Sequence, residues 1–162
     1  MPSCSSDDEV RLNSQTYIPF ELASKLEYAL LALLELASHT DSRNPITVAG
    51  ITAKHSIPDR YLEQILTILR RGGVVHSHRG SRGGYVLARE PWQISVLEVL
   101  ALMDGERKPK EPSKVMTLER EVVYGFWQQA NLTSQKFLSD CTIQDLCHRR
   151  DAIKNKTPMY YI

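Results

Sequence analysis

Apolar residues recur at helical spacing in some stretches of the chain and in short β-prone runs in another, which predicts the order of its elements. Leu22, Leu26, Leu30, Leu33, Leu34 and Ala37 lie on one helical face. Pro19 suits the first turn of a helix, so this element is expected over residues 19–38. A polar break follows over residues 39–45. Thr47 then caps a short helix carrying Val48, Ile51 and Ala53, which stops near Ser56. Ser56-Ile57-Pro58-Asp59 has the form of a second capping signal with proline in the first turn. The helix it launches places Tyr61, Leu62, Ile65, Leu66 and Leu69 on one side and ends at Gly72-Gly73. Two β-prone segments, 74–78 and 85–88, are joined by Arg79-Gly80-Ser81-Arg82-Gly83-Gly84, which reads as a hairpin loop.

Ser95 and Glu98 form another capping box, before a helix with Val96, Leu97, Val99, Leu100 and Met103. Residues 105–114 are a charged, proline-containing linker. Val115, Leu118, Val122, Phe126 and Ala130 mark a long helix, and Val123, Trp127 and Phe137 widen its apolar face. Such a face suits a dimer interface, with Val115, Leu118, Val122, Phe126 and Trp127 as its contacts and Trp127 as an aromatic anchor. Trp92 reads as a packing residue. Thr142 to Asp145 caps a short last helix, and the chain after Arg150 reads as loose.

The order is helix, helix, helix, hairpin, helix, long helix, short helix. It predicts a mainly α fold: a winged helix-turn-helix DNA-binding domain with a long C-terminal dimerisation helix. The expected divisions are a flexible tail over 1–16, the winged helix over 17–104, the linker over 105–114, the dimerisation and final helices over 115–150, and a tail over 151–162.

The chain has 162 residues, of which 42% are hydrophobic and 24% charged, an ordinary balance for a globular protein. Its longest apolar run, residues 29–37, is interrupted by Glu35 and falls short of the ~20 residues that cross a bilayer. Residues 1–13 are polar and acidic, unlike a secretory leader, so a cytoplasmic location and no membrane partner are expected. The net charge is only +1, but it is unevenly spread. From Lys54 to Glu90 seven basic residues (Lys54, Arg60, Arg70, Arg71, Arg79, Arg82 and Arg89) face three acids, whereas the first thirty residues hold five acids and two bases.

That basic stretch coincides with the helix pair and hairpin. A helix fits the major groove of B-DNA, where each base pair shows its own donor and acceptor pattern. Opposite Leu62, Ile65 and Leu66 the predicted helix offers Arg60, Glu63, Gln64 and Thr67. Arg60 suits phosphate or guanine, Gln64 suits adenine, and Glu63 can accept from cytosine N4. Arg79 and Arg82, among glycines, suit close approach to the backbone and insertion into the minor groove. An enzyme built on Cys147 and His148 is disfavoured, because neighbours on a helix point ~100° apart. His76 and His78 share one strand face and suit hydrogen bonding better than metal binding.

Glu27-Tyr28-Ala29-Leu30, Ile57-Pro58 through Leu66 with Tyr61-Leu62-Glu63-Gln64-Ile65, and Arg79-Gly80-Ser81-Arg82-Gly83-Gly84-Tyr85-Val86-Leu87 strongly resemble the Rrf-two family of bacterial transcription regulators. The resemblance spans residues 20–147 and implies a homodimer that binds double-stranded DNA at a palindrome-like operator. By position it implies DNA contacts at Arg60, Glu63 and Gln64 on the reading helix and at Arg79 on the wing; Tyr61, Ser81 and Arg82 beside them are further candidate contacts. Ser24 and Lys25 fall where relatives touch phosphates. Arg60 departs from the small polar residue some relatives carry, so no operator sequence transfers.

Many relatives hold an iron–sulfur cluster through cysteines in the linker before the dimerisation helix. Here that linker has none, and Tyr124 stands roughly where some relatives place a histidine ligand. Cysteine occurs instead at Cys4, Cys141 and Cys147, with His148 alongside. Three readings of Cys141 and Cys147 stay open: structural residues, ligands of a cluster or metal that Cys4 or His148 completes, or a thiol–disulfide switch. The leading expectation is a regulator responsive to redox or iron. The alternative is a cluster-free regulator controlled by a protein partner.

Overall fold

The computed structural model describes residues 21–42, 44–105 and 115–156. The elements run α1 (Ser24–Ala37), a 3-10 turn at Thr40–Ser42, α2 (Val48–His55), α3 (Asp59–Arg71), β1 (Val75–His78), β2 (Gly84–Leu87), a 3-10 turn at Pro91–Gln93, α4 (Val96–Asp104), α5 (Leu118–Asp140) and α6 (Ile143–Lys156). The expected start of the first helix at Pro19, the expected tail over 1–16, residues 157–162 of the tail expected over 151–162, and linker residues 106–114 lie outside the described residues.

Helix α1 is the centre of the fold. Ala29, Ala32, Leu33 and Leu36 are buried, and α1 packs against α2, α3, α4, α6 and β2. Helix α3 covers this centre with Leu62, Ile65, Leu66 and Leu69, all fully buried and spaced to form a single stripe. It ends in a Schellman turn: Gly73 N–H donates to Arg70 O at 3.1 Å and Val74 N–H to Leu69 O at 2.9 Å. Gly73 takes the left-handed conformation the turn needs, with φ of +73°.

Caps explain several boundaries. Thr47 Oγ1 accepts from Gly50 N–H at 3.0 Å, and Ser95 Oγ from Glu98 N–H at 3.1 Å. The Glu98 side chain does not return the bond, because it pairs with Arg89. Thr142 and Asp145 form a reciprocal box, with Thr142 N–H donating to Asp145 Oδ2 at 2.8 Å and Asp145 N–H to Thr142 Oγ1 at 3.2 Å. The Thr142 N–H and hydroxyl, both donating to Asp145 Oδ2, hold the pKa of that carboxyl below its ordinary value. Ser56 does not cap α3. It closes α2 in a left-handed conformation, φ +53°, and Pro58 takes the first position before α3.

The last helix is longer than expected. Helix α6 continues to Lys156, beyond the loose end expected after Arg150. Ile143 joins the buried core and Leu146 and Cys147 pack against it, anchoring the helix on α1. Its entry is stitched to α4 by Val96 N–H to Cys141 O at 2.8 Å and Ile143 N–H to Ile94 O at 2.9 Å. Val115 precedes α5 rather than lying in it.

The wing is a two-stranded antiparallel hairpin, extended on one side by a bridge between Ile46 and Tyr85. Gly84 has φ of +148°, and a Cβ there would lie 2.5 Å from the Ile46 carbonyl oxygen. Both effects oppose any larger residue. Gly84→Ala is therefore expected to cost about 1–3 kcal/mol, read as a lowered midpoint in thermal or urea unfolding.

Candidate nucleic-acid interface

Because one stripe of α3 is fully buried, the opposite side is presented to solvent. Arg60, Glu63 and Gln64 are exposed there and, with Thr67, Ile68 and Arg71, line an open shallow concavity. Thr67 Oγ1 donates back to the Glu63 carbonyl at 2.8 Å, so its hydroxyl proton is already used. Tyr61 sits differently from its neighbours. It is half-buried, and its ring meets Tyr28 edge-to-face with centroids 5.6 Å apart. Its ring buttresses α3 on α1.

The wing loop carries Arg79, Ser81 and Arg82, all exposed. The loop closes through Gly83 N–H to Gly80 O at 3.0 Å, with Gly80 at φ +108°. Arg70 Nη1 donates to Ser77 Oγ at 3.4 Å and links α3 to the first wing strand. At the start of α1, Ser24 is exposed and Lys25 half-buried.

Two of the seven basic residues in this stretch are committed elsewhere. Arg89 pairs with Glu98 and donates to the Gly73 and Gln93 carbonyls, each at 3.3 Å. It ties the end of α3 to α4. Lys54 Nζ lies 2.8 Å from Glu35. Arg60, Arg71, Arg79 and Arg82 have no ion-pair partner among the described residues.

Glu35 gave no signal in the sequence beyond interrupting an apolar run. It is the buried charged residue of the core, and its carboxylate also lies 3.3 Å from His55 Nε2 and 3.8 Å from His39 Nδ1. Burial pushes its pKa up, but hydrogen bonds from Lys54 and His55 and the charges of Lys54 and His39 outweigh that and hold it below the ordinary value.

Cys141 is buried at the close of α5, its thiol 4.0 Å from the Thr142 carbonyl oxygen. Cys147 is half-buried on α6, and His148 beside it is exposed. Cys4 lies outside the described residues.

A family model described as an iron-dependent transcriptional regulator, Rrf2, matches residues 22–149. The chain belongs to the Rrf2 family. A helix-turn-helix-type transcriptional regulator of Synechocystis sp. is 38% identical over 128 residues, covering 78% of this chain and 86% of that protein. The Bacillus subtilis regulator CymR is 29% identical over 142 residues, covering 88% of this chain and 99% of CymR. The solved structure of CymR, described as the global cysteine regulator of B. subtilis, has a TM-score of 0.68 at 28% identity, covering 80% and 98% of the two chains. That of T. potens IscR has the same score and identity, covering 88% and 98%. The chain is thus a winged helix-turn-helix transcription regulator that binds DNA, and its relatives are named as regulators rather than enzymes. Among the described residues no helix is long and apolar enough to cross a membrane.

Within the described residues of this Rrf2 protein, Cys141 and Cys147 do not assemble a cluster site. Among the described residues no group of three or more His, Cys, Asp or Glu side chains is placed to hold a metal. Burial raises the pKa of the Cys147 thiol; Arg150 lowers it and Asp151 raises it, and the net shift is upward. A ligand or redox thiol needs the thiolate, which this environment disfavours. Alkylation of Cys147 by iodoacetamide should accordingly be slower than that of free cysteine at pH 7 and accelerate as pH rises above 9. Rapid labelling at pH 7, read by mass spectrometry, would contradict this.

Proposed function

We propose that the protein is a homodimeric, sequence-specific regulator that reads operator DNA with α3 in the major groove and the wing arginines beside it. The observation that carries this is the division of α3, whose apolar stripe is wholly buried while Arg60, Glu63 and Gln64 stand exposed next to Arg79, Ser81 and Arg82. Ser24 and Lys25 add backbone contacts at the start of α1. Tyr61 contributes as the support of the reading helix. The working division is a winged helix over 17–104, a linker over 105–114 and a dimerisation segment over 115–150, in a protein of the cytoplasm.

Helix α5 supports the dimer. None of its 23 residues is buried, and Leu118, Val122, Phe126 and Trp127 remain 61–73% exposed, as does Val115 just before them. Contiguous apolar surface of this extent marks an association site. Two copies related by a two-fold axis would bury it and place two α3 helices on a pseudo-palindrome.

On the signal, the geometry of the cysteines favours the cluster-free reading, control by a regulatory protein partner, over an iron or redox response through Cys141 and Cys147. Anaerobic purification tests the cluster: a colourless protein that retains DNA binding removes it, and visible absorption with acid-labile sulfide overturns the cluster-free reading.

Fluorescence anisotropy tests the DNA surface. Arg79→Ala and Gln64→Ala should each weaken binding to a selected duplex about 10- to 100-fold, whereas Lys136→Ala on α5 should change it less than about twofold. Equal effects would remove the wing and α3 from the interface. Sedimentation tests the dimer. Phe126→Asp with Trp127→Asp should give a monomer whose unfolding midpoint falls and whose operator affinity drops about a hundredfold or more, since two half-sites no longer bind together.

A further inference from the structure

The placement of α2 poses a physical problem. It has eight residues and buries one side chain, Ile51, whereas α3 buries four. Apolar packing fixes α3 firmly and α2 weakly. Yet α2 must hand the chain to α3 through a single left-handed residue, Ser56, directly after His55. Ile57, just beyond Ser56, is buried and anchors the turn, while the last turn of α2 itself is held by polar contacts. Lys54 and His55, consecutive residues of that turn, converge on Glu35 at 2.8 and 3.3 Å.

We propose that Glu35 is a positioning residue for sequence-selective DNA reading, holding the end of α2, through Lys54 and His55, at the angle that presents α3. The proposal rests on α3 being the reading helix. A carboxylate inside an apolar core costs stability unless it is paired, and an apolar residue of similar size would pack there without that cost. Its presence as a buried carboxylate is explained if it fixes geometry rather than adding stability. The titratable and charged groups facing it come from the elements that meet there: His39 just after α1, and Lys54 and His55 from α2; Arg150 of α6 pairs with Asp151 and donates to Ser38 Oγ at 2.5 Å. Glu35 therefore joins the end of α2 to α1.

The experiment uses the full-length dimer and two probes: a duplex enriched from a random-sequence library by the unaltered protein, and a scrambled duplex of the same composition. Glu35→Gln should weaken binding to the enriched duplex about tenfold and to the scrambled one less than about twofold. Because Glu35 is buried, Lys54→Met, at an exposed position, provides the same test if Glu35→Gln fails to fold. Lys54→Met should reproduce the selective loss, Lys54→Arg should retain wild-type selectivity, and the double variant should be no worse than either single one.

If Lys54→Met weakens both duplexes equally and makes the salt dependence shallower by about one unit, Lys54 is a phosphate contact and the proposal falls. It falls equally if the variants fold and keep full selectivity. Gln64→Ala separates this from the underlying reading. Should it abolish selectivity while Glu35→Gln and Lys54→Met preserve it, the reading by α3 stands and the role of Glu35 does not. Should Gln64→Ala also preserve selectivity, it is the reading by α3 that fails.

Discussion

The arrangement depends on the burial of α1. Ala29, Ala32, Leu33 and Leu36 give one helix an apolar surface broad enough for four other helices and a strand to pack against it. Small residues at two of these positions let neighbouring backbones approach closely, and the leucines fill the space between them. The exposed face of α3 is a consequence. Once Leu62, Ile65, Leu66 and Leu69 are committed to α1, the position of Arg60, Glu63 and Gln64 is fixed by the 3.6-residue period. The wing is placed from the same centre through β2 and through the Ile46–Tyr85 bridge.

The opposite situation holds at α5. A helix of 23 residues that buries nothing gains little from tertiary packing within its own chain. Its ends are nevertheless well defined, by the Thr117 cap and by the stitch of residues 141–143 onto α4. A helix fixed at its ends with its apolar length unoccupied is the form expected of half an interface. The same stitch brings α6 back onto α1. The two halves of the chain are thereby mechanically joined without a large shared core.

Local chemistry was legible in the sequence wherever a single residue type decides the geometry. Thr47, Ser95 and Thr142 begin helices as their side chains dictate, and the Gly72-Gly73 pair ends one. The hairpin strands fall within one residue of their expected limits. Long-range pairing was not legible. Arg89 reads as part of a basic surface but is drawn into the structure by Glu98, nine residues away. Lys54 is likewise withdrawn by Glu35, across 19 positions. Ser56 looks like a cap because it precedes proline, yet the tight turn between α2 and α3 requires its left-handed backbone more than its hydroxyl. Trp92, expected to pack, is 60% exposed, since the short turn at Pro91–Gln93 sets it outside the core.

These withdrawn charges also resolve how a nearly neutral chain can present a DNA surface. With Lys54 and Arg89 neutralised by acids of the scaffold, the basic residues left without ion-pair partners in this stretch are those of the α3 face and the wing, Arg60, Arg71, Arg79 and Arg82 among them. Attraction to phosphate depends on the local field rather than on the sum over the chain. A weak overall charge limits indiscriminate binding, while a concentrated one keeps contact where bases can be read. Glu35 pairs with Lys54 of α2 and Glu98 of α4 with Arg89, so within this stretch the unpaired positive charge stays on α3 and the wing.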